Sequence, residues 1–488
     1  MSFDSAIDRV FAPVADVLES VVFFSIPLTA DGSVQLSLIL LWLLSAAVFF
    51  TVYLNFVTFA KIPYVLSTLW KNRKDVTDHA SDGQITSFQA LATSLSGTVG
   101  LGNIAGVAVA ISLGGVGASF WMAMMGFLGM AVKFAEATLS IRYRQHEAIH
   151  TKDIAGGPMY YLRMGLSDIH RPRLGKFLSV LFCFCCIGGA IGGGNMFQAN
   201  QAYSQAVIVM GGAEGFLGQH AWVFGLFLAV LVGLVILGGI EEIAAVTSKL
   251  VPFMTLLYMV LGLSVIALRI TELPSALAWI VRDAVDLKAG FGAFVGTMLV
   301  GIQRASFSNE AGLGSAPIAH STAKVSHPIQ QGLVAMLEPV ADTVIICMMT
   351  ALVITITKVT HDPESATAAL KGVALTSAAF ETTITGSRYV LALVVFLFAY
   401  STMITWFYYG LKSLNFLVGD KDWVQLLFKV FYCALIFVGT SANLSNVVRF
   451  TDSMFFIMAI PNVIGLYFLA PEVKRLKNDY FDRYIQKT

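Results

Sequence analysis

The sequence is poor in charge. Lys, Arg, Asp and Glu make up 12% of 488 residues and nearly cancel, leaving a net charge of +1. A soluble domain carries about 25% charged residues, so most of this chain cannot face water. Nucleic acid is excluded as a partner, because no basic patch with interleaved aromatics is present and no large soluble domain exists to carry one. Cysteine is scarce. Cys183, Cys185, Cys186, Cys347 and Cys433 all fall in apolar runs, where small packing residues are expected rather than a disulfide framework. No HExxH, Walker A, GxSxG or metal-spacing cluster occurs. All eight His lie in loops or at the ends of apolar runs, which argues against an enzyme and against a His proton relay. The N-terminus has no positive n-region joined to an apolar h-region, so no cleaved signal peptide is expected.

What is abundant is apolar residue: 57% of the chain, with a mean hydropathy of +0.75. The expected fold class is an all-α polytopic membrane protein. Residues 1–33 repeat apolar positions at helical spacing (Phe3, Ile7, Val10, Phe11, Val14, Val17, Leu18) and read as an amphipathic helix at the membrane interface. Eleven apolar stretches follow, each near the roughly 20 residues needed to span a bilayer. They fall at about 34–59, 84–113, 117–139, 176–208, 220–240, 247–269, 290–320, 328–357, 383–415, 424–441 and 445–470. Threading the chain through them puts 21 Lys or Arg on one side, among them Lys61, Lys71, Arg73, Lys74 and Lys487, and eight on the other. The positive-inside rule then places the C-terminus in the cytoplasm and, with eleven spans, the N-terminus outside. The expected location is the plasma membrane, in a bacterium the inner membrane.

Two of these stretches are unusual. Residues 84–113 would make a helix of roughly 45 Å against a hydrocarbon core of about 30 Å. At its centre stands Gly97-Thr98-Val99-Gly100-Leu101-Gly102-Asn103. Gly inside a helix costs roughly 1 kcal/mol against Ala, and an opened backbone in lipid must find partners within the protein. Either small residues pack closely against a neighbouring helix, or the helix is broken and the break binds something. The stretch 290–320 is equally long and contains Arg304-Ala305-Ser306-Phe307-Ser308-Asn309-Glu310-Ala311-Gly312-Leu313-Gly314-Ser315-Ala316-Pro317. Each opens a group of five spans, 84–269 and 290–470, and an odd number puts the two groups in opposite orientation. That is the pattern of an inverted-repeat secondary transporter. It favours the broken helix, and it divides the chain into 1–33, an extra span at 34–59, two five-span repeats and a tail at 471–488.

A helix broken at mid-membrane presents N–H groups to an anion and C=O groups to a cation. Leu101 and Gly102 stand where N–H groups would meet a carboxylate. Ser96, Thr98 and Val99 stand where carbonyls would meet a small hard cation. In 383–415, Ser401, Thr402 and Thr405 either supply hydroxyl ligands or bond carbonyls of their own helix. Trp406 either caps a small pocket or belongs to an interfacial belt. Asn195 and Gln198 either bind ligand or join helices. Charged residues inside spans are suspects for function. Lys133 and Glu136 are three apart on one helix face, and a structural pair is the expected role. Arg304 and Glu310 flank the second break, where they either pair as a gate or support unwound backbone. Glu338 and Asp342 either bind a cation or proton or find partners in other helices.

At these residues the chain resembles the alanine or glycine:cation symporter family over nearly its whole length. The marks are Val99-Gly100-Leu101-Gly102-Asn103-Ile104-Ala105-Gly106-Val107-Ala108, Gly114-Gly115-Val116-Gly117-Ala118-Ser119-Phe120-Trp121-Met122, Gly156-Gly157-Pro158-Met159-Tyr160-Tyr161, Gly194-Asn195-Met196-Phe197-Gln198-Ala199-Asn200, Phe307-Ser308-Asn309-Glu310-Ala311-Gly312-Leu313-Gly314-Ser315 and Trp406-Phe407-Tyr408-Tyr409-Gly410. The chain departs from that family at Leu101, where Thr is common, and at Ala123, where many members have Trp. The resemblance implies a leucine-transporter-like fold and sodium-coupled symport of small neutral amino acids, alanine or glycine. It implies a substrate carboxylate on the Leu101 and Gly102 N–H groups, with Thr98, Gln198, Phe307, Ser308, Thr402 and Trp406 around it. One Na+ is implied between the carbonyls of Ser96 and Val99 and the hydroxyls of Ser401 and Thr402, and a second at the Thr98 carbonyl and Asn103. A proton-coupled carrier of the same fold is the nearest alternative. An ion channel, which predicts a continuous charged or carbonyl-lined pore, is the alternative from another class.

Overall fold

The computed structural model describes residues 3–28, 35–65, 83–148, 151–287, 290–359 and 370–484. Lys71, Arg73, Lys74 and Lys487 lie outside them. The described chain is almost entirely helical. The only strands among the described residues are two short antiparallel pairs in connecting segments, Ser25–Pro27 with Gln35–Ser37 and Gln145–Ala148 with Thr151–Ala155. Seven helices are long and apolar enough to cross a membrane: Ala118–Arg142, Pro172–Val209, Gly239–Leu268, Pro328–Thr357, Ser387–Val418, Asp422–Ser441 and Leu444–Arg483. Ser87–Thr98 and Gly102–Gly114 form an eighth, bent by 48° at the break. Leu38–Tyr53 and Ala221–Ile236 are shorter apolar helices. Phe291–Asn309 and the short helix Ala316–His320 flank the second interruption. Phe3–Val22 forms the N-terminal helix.

Local chemistry sets where these helices start. Thr86 caps Ser87–Thr98 with a capping box: its side chain accepts from the Gln89 N–H, and Gln89 returns a bond to the Thr86 N–H. Pro172 and Pro328 stand in the first turn of their helices, where a missing N–H costs nothing. The helices at the periphery turn large apolar side chains outward, among them Trp222, Phe227, Leu234, Phe253, Leu256 and Val260. In water such a surface would be unstable; in hydrocarbon it is the solvated face.

Several basic residues contact residues near the ends of neighbouring helices. Arg142 meets Glu472 at 3.3 Å, Lys477 bonds the Leu54 carbonyl at 3.3 Å, and Arg144 bonds the Ala323 carbonyl at 2.8 Å. Those residues all belong to one side of the tally. On the other, Arg449 meets Glu19 at 2.6 Å, Lys358 meets Glu272 at 3.5 Å, and Arg269 bonds the Thr383 hydroxyl at 2.7 Å. The N-terminal helix is thus held on the first turns of Leu444–Tyr484 by Arg449, which also bonds Asp16.

Candidate substrate and cation site

The first break is built from its own residues. Ser87–Thr98 ends at Val99, whose N–H bonds the Leu95 carbonyl at 2.6 Å. Val99 takes φ −75° and ψ 82°, and the Gly100 N–H bonds the Thr98 carbonyl at 2.9 Å. This is an inverse γ-turn, a tight reversal that ends a helix. Asn103 locks it: its Oδ1 accepts from the Gly100 N–H at 2.9 Å. The chain restarts with a π-helical turn at Gly102–Gly106. The helix is therefore broken here, and Gly100 also permits close packing. A Cβ there would lie 2.5 Å from Thr402 Oγ1.

The second break covers 310–315. Glu310, Gly312 and Gly314 all adopt left-handed backbone, with φ of 57°, 90° and 84°. Asn309 Oδ1 accepts from the Ala311 N–H at 3.0 Å. Asn462 reaches in from Leu444–Tyr484, and its Nδ2 donates to the Gly312 carbonyl at 2.8 Å and to Glu136 Oε1 at 2.6 Å.

Around the first break the predicted residues converge, and all are buried. The Leu101 N–H bonds Gln198 Oε1 at 3.1 Å. An amide oxygen occupies the direction assigned to a carboxylate. Gln198 is held there by donating to the Gly193 carbonyl at 2.9 Å. Its neighbour Asn195 instead donates to the Tyr432 carbonyl at 2.7 Å and joins helices. Gly102 packs against Phe307 and Ser308, whose nearest atoms lie 3.3 and 3.5 Å from where a Cβ would stand. Thr98 Oγ1 stays on its own helix, 3.4 Å from the Ser94 carbonyl. Trp406 stacks on Phe455 at 4.6 Å, Phe455 lies 5.1 Å from Phe307, and Phe197 closes the cluster 5.3 Å from Phe307.

The candidate cation residues are also brought together. Thr402 Oγ1 donates to the Ser96 carbonyl at 3.0 Å, and Ser96 Oγ donates to the Ser401 carbonyl at 2.7 Å. Thr405 Oγ1 donates to Ser96 Oγ at 3.1 Å. The Ser401 hydroxyl turns back to the Phe398 carbonyl at 3.0 Å, so of the two adjacent hydroxyls only Thr402 crosses to the break. Val99 contributes the turn that exposes this end of the helix.

Three expectations about charged residues are resolved. Lys133 does not make a contact pair with Glu136. Its Nζ lies 3.2 Å from Glu338 Oε2 on another span, while Glu136 is bonded by Asn462. The other oxygen of Glu338 meets His320 Nε2 at 2.6 Å, and Gln331 Nε2 donates to His320 Nδ1 at 2.7 Å. His320 closes the short helix after the second break, yet it is fully buried. Arg304 does not pair with Glu310. It binds Asp452, which also accepts from Gln303 Nε2 at 3.0 Å. Glu310 Oε1 accepts from Trp406 Nε1 at 3.1 Å, and its other oxygen is bonded by Ser315. Asp342 touches no cation among the described residues. Asn103 Nδ2 donates to its Oδ1 at 2.6 Å, and Ser308 and Thr343 donate to its Oδ2 at 2.7 and 2.8 Å. Asp452 and Phe455 were missed in the sequence. The signal for Asp452 was present: it is an acid inside an apolar run.

A polytopic helical bundle that brings two interrupted helices together around buried hydroxyls, carbonyls and N–H groups has the construction of a membrane carrier, and no arrangement of nucleophile and base is found among its described residues. Comparison with known proteins agrees on the class and then on the family. The family model described as the sodium:alanine symporter family matches residues 24–488. The chain belongs to that family; it is a cation-coupled amino acid symporter and not an enzyme. It is 40% identical over 449 residues to the sodium/alanine symporter AgcS of Methanococcus maripaludis, covering 92% of this chain and 95% of that one. It is 32% identical over 445 residues to a Bacillus subtilis protein named a probable sodium/glutamine symporter, GlnT, covering 91% of this chain and 87% of that one. Among solved structures, MhsT in complex with L-phenylalanine has a TM-score of 0.53 and 15% identity, covering 81% of this chain and 98% of that one. That likeness shows a shared fold.

Proposed function

We propose that this chain is a sodium-coupled symporter of small neutral amino acids, alanine or glycine, working by alternating access. The observation that carries the reading is the meeting of Thr402 Oγ1 with the Ser96 carbonyl at 3.0 Å, beside a break whose Leu101 N–H already holds an oxygen at 3.1 Å. Sodium takes the place between the Ser96 and Val99 carbonyls and the hydroxyls of Thr402 and Ser401. Ser401 leaves the Phe398 carbonyl to do so. The substrate carboxylate replaces Gln198 Oε1 on the N–H groups of Leu101 and Gly102. Thr98, Phe307, Ser308, Thr402 and Trp406 surround the amino acid. The closeness of Gly102 to Phe307 and of Gly100 to Thr402 supports a substrate no larger than one methyl side chain. A second sodium at the Thr98 carbonyl and Asn103 gains the carboxylate of Asp342, which Asn103, Ser308 and Thr343 already surround.

Eleven spans, two of them broken and arranged as inverted five-span repeats, account for the two breaks lying at the start of each repeat. The consistent pairing of basic residues on each side supports a cytoplasmic C-terminus and an external N-terminus in a plasma membrane. In the cycle, sodium orders the break and raises amino acid affinity, and the amino acid raises sodium affinity by the same factor. The test is uptake of labelled alanine by reconstituted protein under an imposed sodium gradient and, separately, a proton gradient. Saturable uptake with sodium alone is expected. Uptake driven only by protons removes sodium from the reading. Conductance without saturable uptake removes the carrier.

A further inference from the structure

The carboxylate of Glu310 has no part in the scheme above. Its backbone is left-handed, φ 57°, a conformation that glycine adopts freely and a Cβ disfavours. The two residues sharing that conformation in the same break are Gly312 and Gly314. At that position the Glu side chain makes contacts that a glycine could not. That side chain is buried and reaches two neutral donors, Trp406 Nε1 at 3.1 Å and the Ser315 hydroxyl. No Lys, Arg or His contacts it among the described residues.

Trp406 cannot shift independently. A Cβ on Gly194 would lie 2.2 Å from the Trp406 Cβ, so the backbone of Gly192–Met196 is pressed against the indole's base, and Phe455 is stacked on the ring at 4.6 Å. A pull on the indole N–H therefore acts on the helix Ser387–Val418 itself. Thr402, which bonds the Ser96 carbonyl, stands one turn earlier on that helix. The chain of contacts runs from the second break through Glu310 and Trp406 to the Thr402 hydroxyl.

We propose that Glu310 is a positioning residue that ties the second break to Trp406 and so couples amino acid binding at the breaks to sodium binding at Thr402. The inference rests on the sodium and substrate sites proposed above. A carboxylate suits this tie because it accepts from both sides at once, leaving no free donor between two elements that must move together. An uncharged amide preserves the link, since its oxygen still accepts from the indole and its nitrogen donates to the Ser315 oxygen.

The experiment measures alanine affinity with and without sodium, and sodium affinity with and without alanine, on the full chain in proteoliposomes. The ratio is the coupling factor. Typical coupling factors lie at about 5–150-fold; Glu310→Ala is expected to lower this chain's by about tenfold. Glu310→Gln keeps it within about twofold. Trp406→Phe, which keeps the ring and removes the N–H, is expected to match Glu310→Ala, and the double variant to lose no more than either. A structural role alone predicts that both affinities weaken while the coupling factor stays fixed, and that result overturns the proposal. So does a double variant whose losses multiply, or Glu310→Gln behaving like Glu310→Ala. Should Glu310→Ala fail to fold, Trp406→Phe decides alone: an unchanged coupling factor overturns the tie. Wild-type protein whose alanine binding ignores sodium overturns the parent reading as well.

Discussion

Removing either partner of Lys133–Glu338 should destabilise the protein more than removing both. The pair is buried, with side chains 1% and 0% exposed and 3.2 Å between Nζ and Oε2. Breaking a buried ion pair from one side costs about 3–5 kcal/mol, because the survivor is a charge without a partner. The two single losses are not equal here. Lys133→Met leaves Glu338 bonded to His320, so the cost falls at the low end, about 3 kcal/mol. Glu338→Gln keeps an acceptor for His320 but takes from Lys133 the anion it touches, so the cost falls near about 5 kcal/mol. If the losses added, Lys133→Met with Glu338→Gln would cost about 8 kcal/mol. Removing both charges leaves no uncompensated ion, and the double variant is expected to cost no more than about 3 kcal/mol, a coupling of roughly 5 kcal/mol. The assay is reversible denaturation of the four proteins in one detergent, with the cycle closed on unfolding free energies. A loss below about 1 kcal/mol for Lys133→Met, or simple addition in the double variant, refutes the reasoning.

Thr402→Ala should weaken sodium activation of uptake by about tenfold or more, since a hydrogen bond or ligand to an ion is worth about 1.5–3 kcal/mol; Thr402→Ser should restore it, and a flat sodium titration across the three proteins removes Thr402 from the site. Gly100→Ala should cost about 1–3 kcal/mol of overpacking, because its Cβ would stand 2.5 Å from Thr402 Oγ1; sodium-dependent alanine binding is the readout, and wild-type binding refutes the close approach. Arg304→Met leaves Asp452 with Gln303 as its donor and frees Phe307, over whose ring the guanidinium lies at 5.4 Å. Easier access from that end is expected, measured as faster labelling of a Cys placed at Phe307, and an unchanged labelling rate counts against Arg304–Asp452 as a closure. At the membrane edge, burial and the charge of Arg483 lower the His327 pKa from its ordinary 6.5, and its neutral Nδ1 accepts from the Ile329 N–H at 3.2 Å. A depressed base contributes stability above its unfolded pKa that is lost as pH falls through the folded value; the protection factor of the Ile329 amide, its exchange corrected for the intrinsic rate at each pH, should therefore fall as pH drops below about 6.5 and should stay level in His327→Ala.

The breaks were legible because lipid makes them anomalous. Gly97, Gly100 and Gly102 in an apolar run, and Ser306 to Ser315 in another, have no use in a straight span. The adjacent hydroxyls of Ser401 and Thr402 were legible for the same reason, although only a structure separates the one that crosses to Ser96 from the one that bonds its own helix. Charge partners were not legible. Lys133 and Glu136 share a helix face, and spacing favours them as a pair, but Glu338 approaches from another span and brings His320 with it. Arg304 and Glu310 are near in sequence, yet Arg304 stands inside Phe291–Asn309 and meets Asp452, while Glu310 opens the break and meets Trp406. Helical spacing reports neighbours on one element only; which charge faces which across a bundle is set by tertiary packing. The π-helical turns at Gly102–Gly106, Gly192–Met196 and Val340–Cys347 left little trace in composition, although they carry Asn103, Asn195 and Asp342.

In the proposed cycle the buried ion pairs Arg304–Asp452 and Lys133–Glu338 serve as closures at the two ends. At one end Arg304 meets Asp452 above Phe307. At the other, Glu338 meets both Lys133 and His320, and the Lys324 N–H bonds the Ile85 carbonyl at 2.8 Å, tying the entry of the first broken helix to the exit of the second. The break residues between them are buried. An apolar plug would make opening expensive in proportion to the area exposed, about 25 cal/mol per Å². An ion pair behaves differently. Buried, it is held by the penalty of separating charges in a medium that cannot solvate them. Once water reaches it, each charge is hydrated and the pair is worth about 1 kcal/mol or less. Each closure is therefore firm while dry and weak once wet. The first water to enter an end lowers the cost of opening it, while the opposite end, still dry, keeps its full resistance.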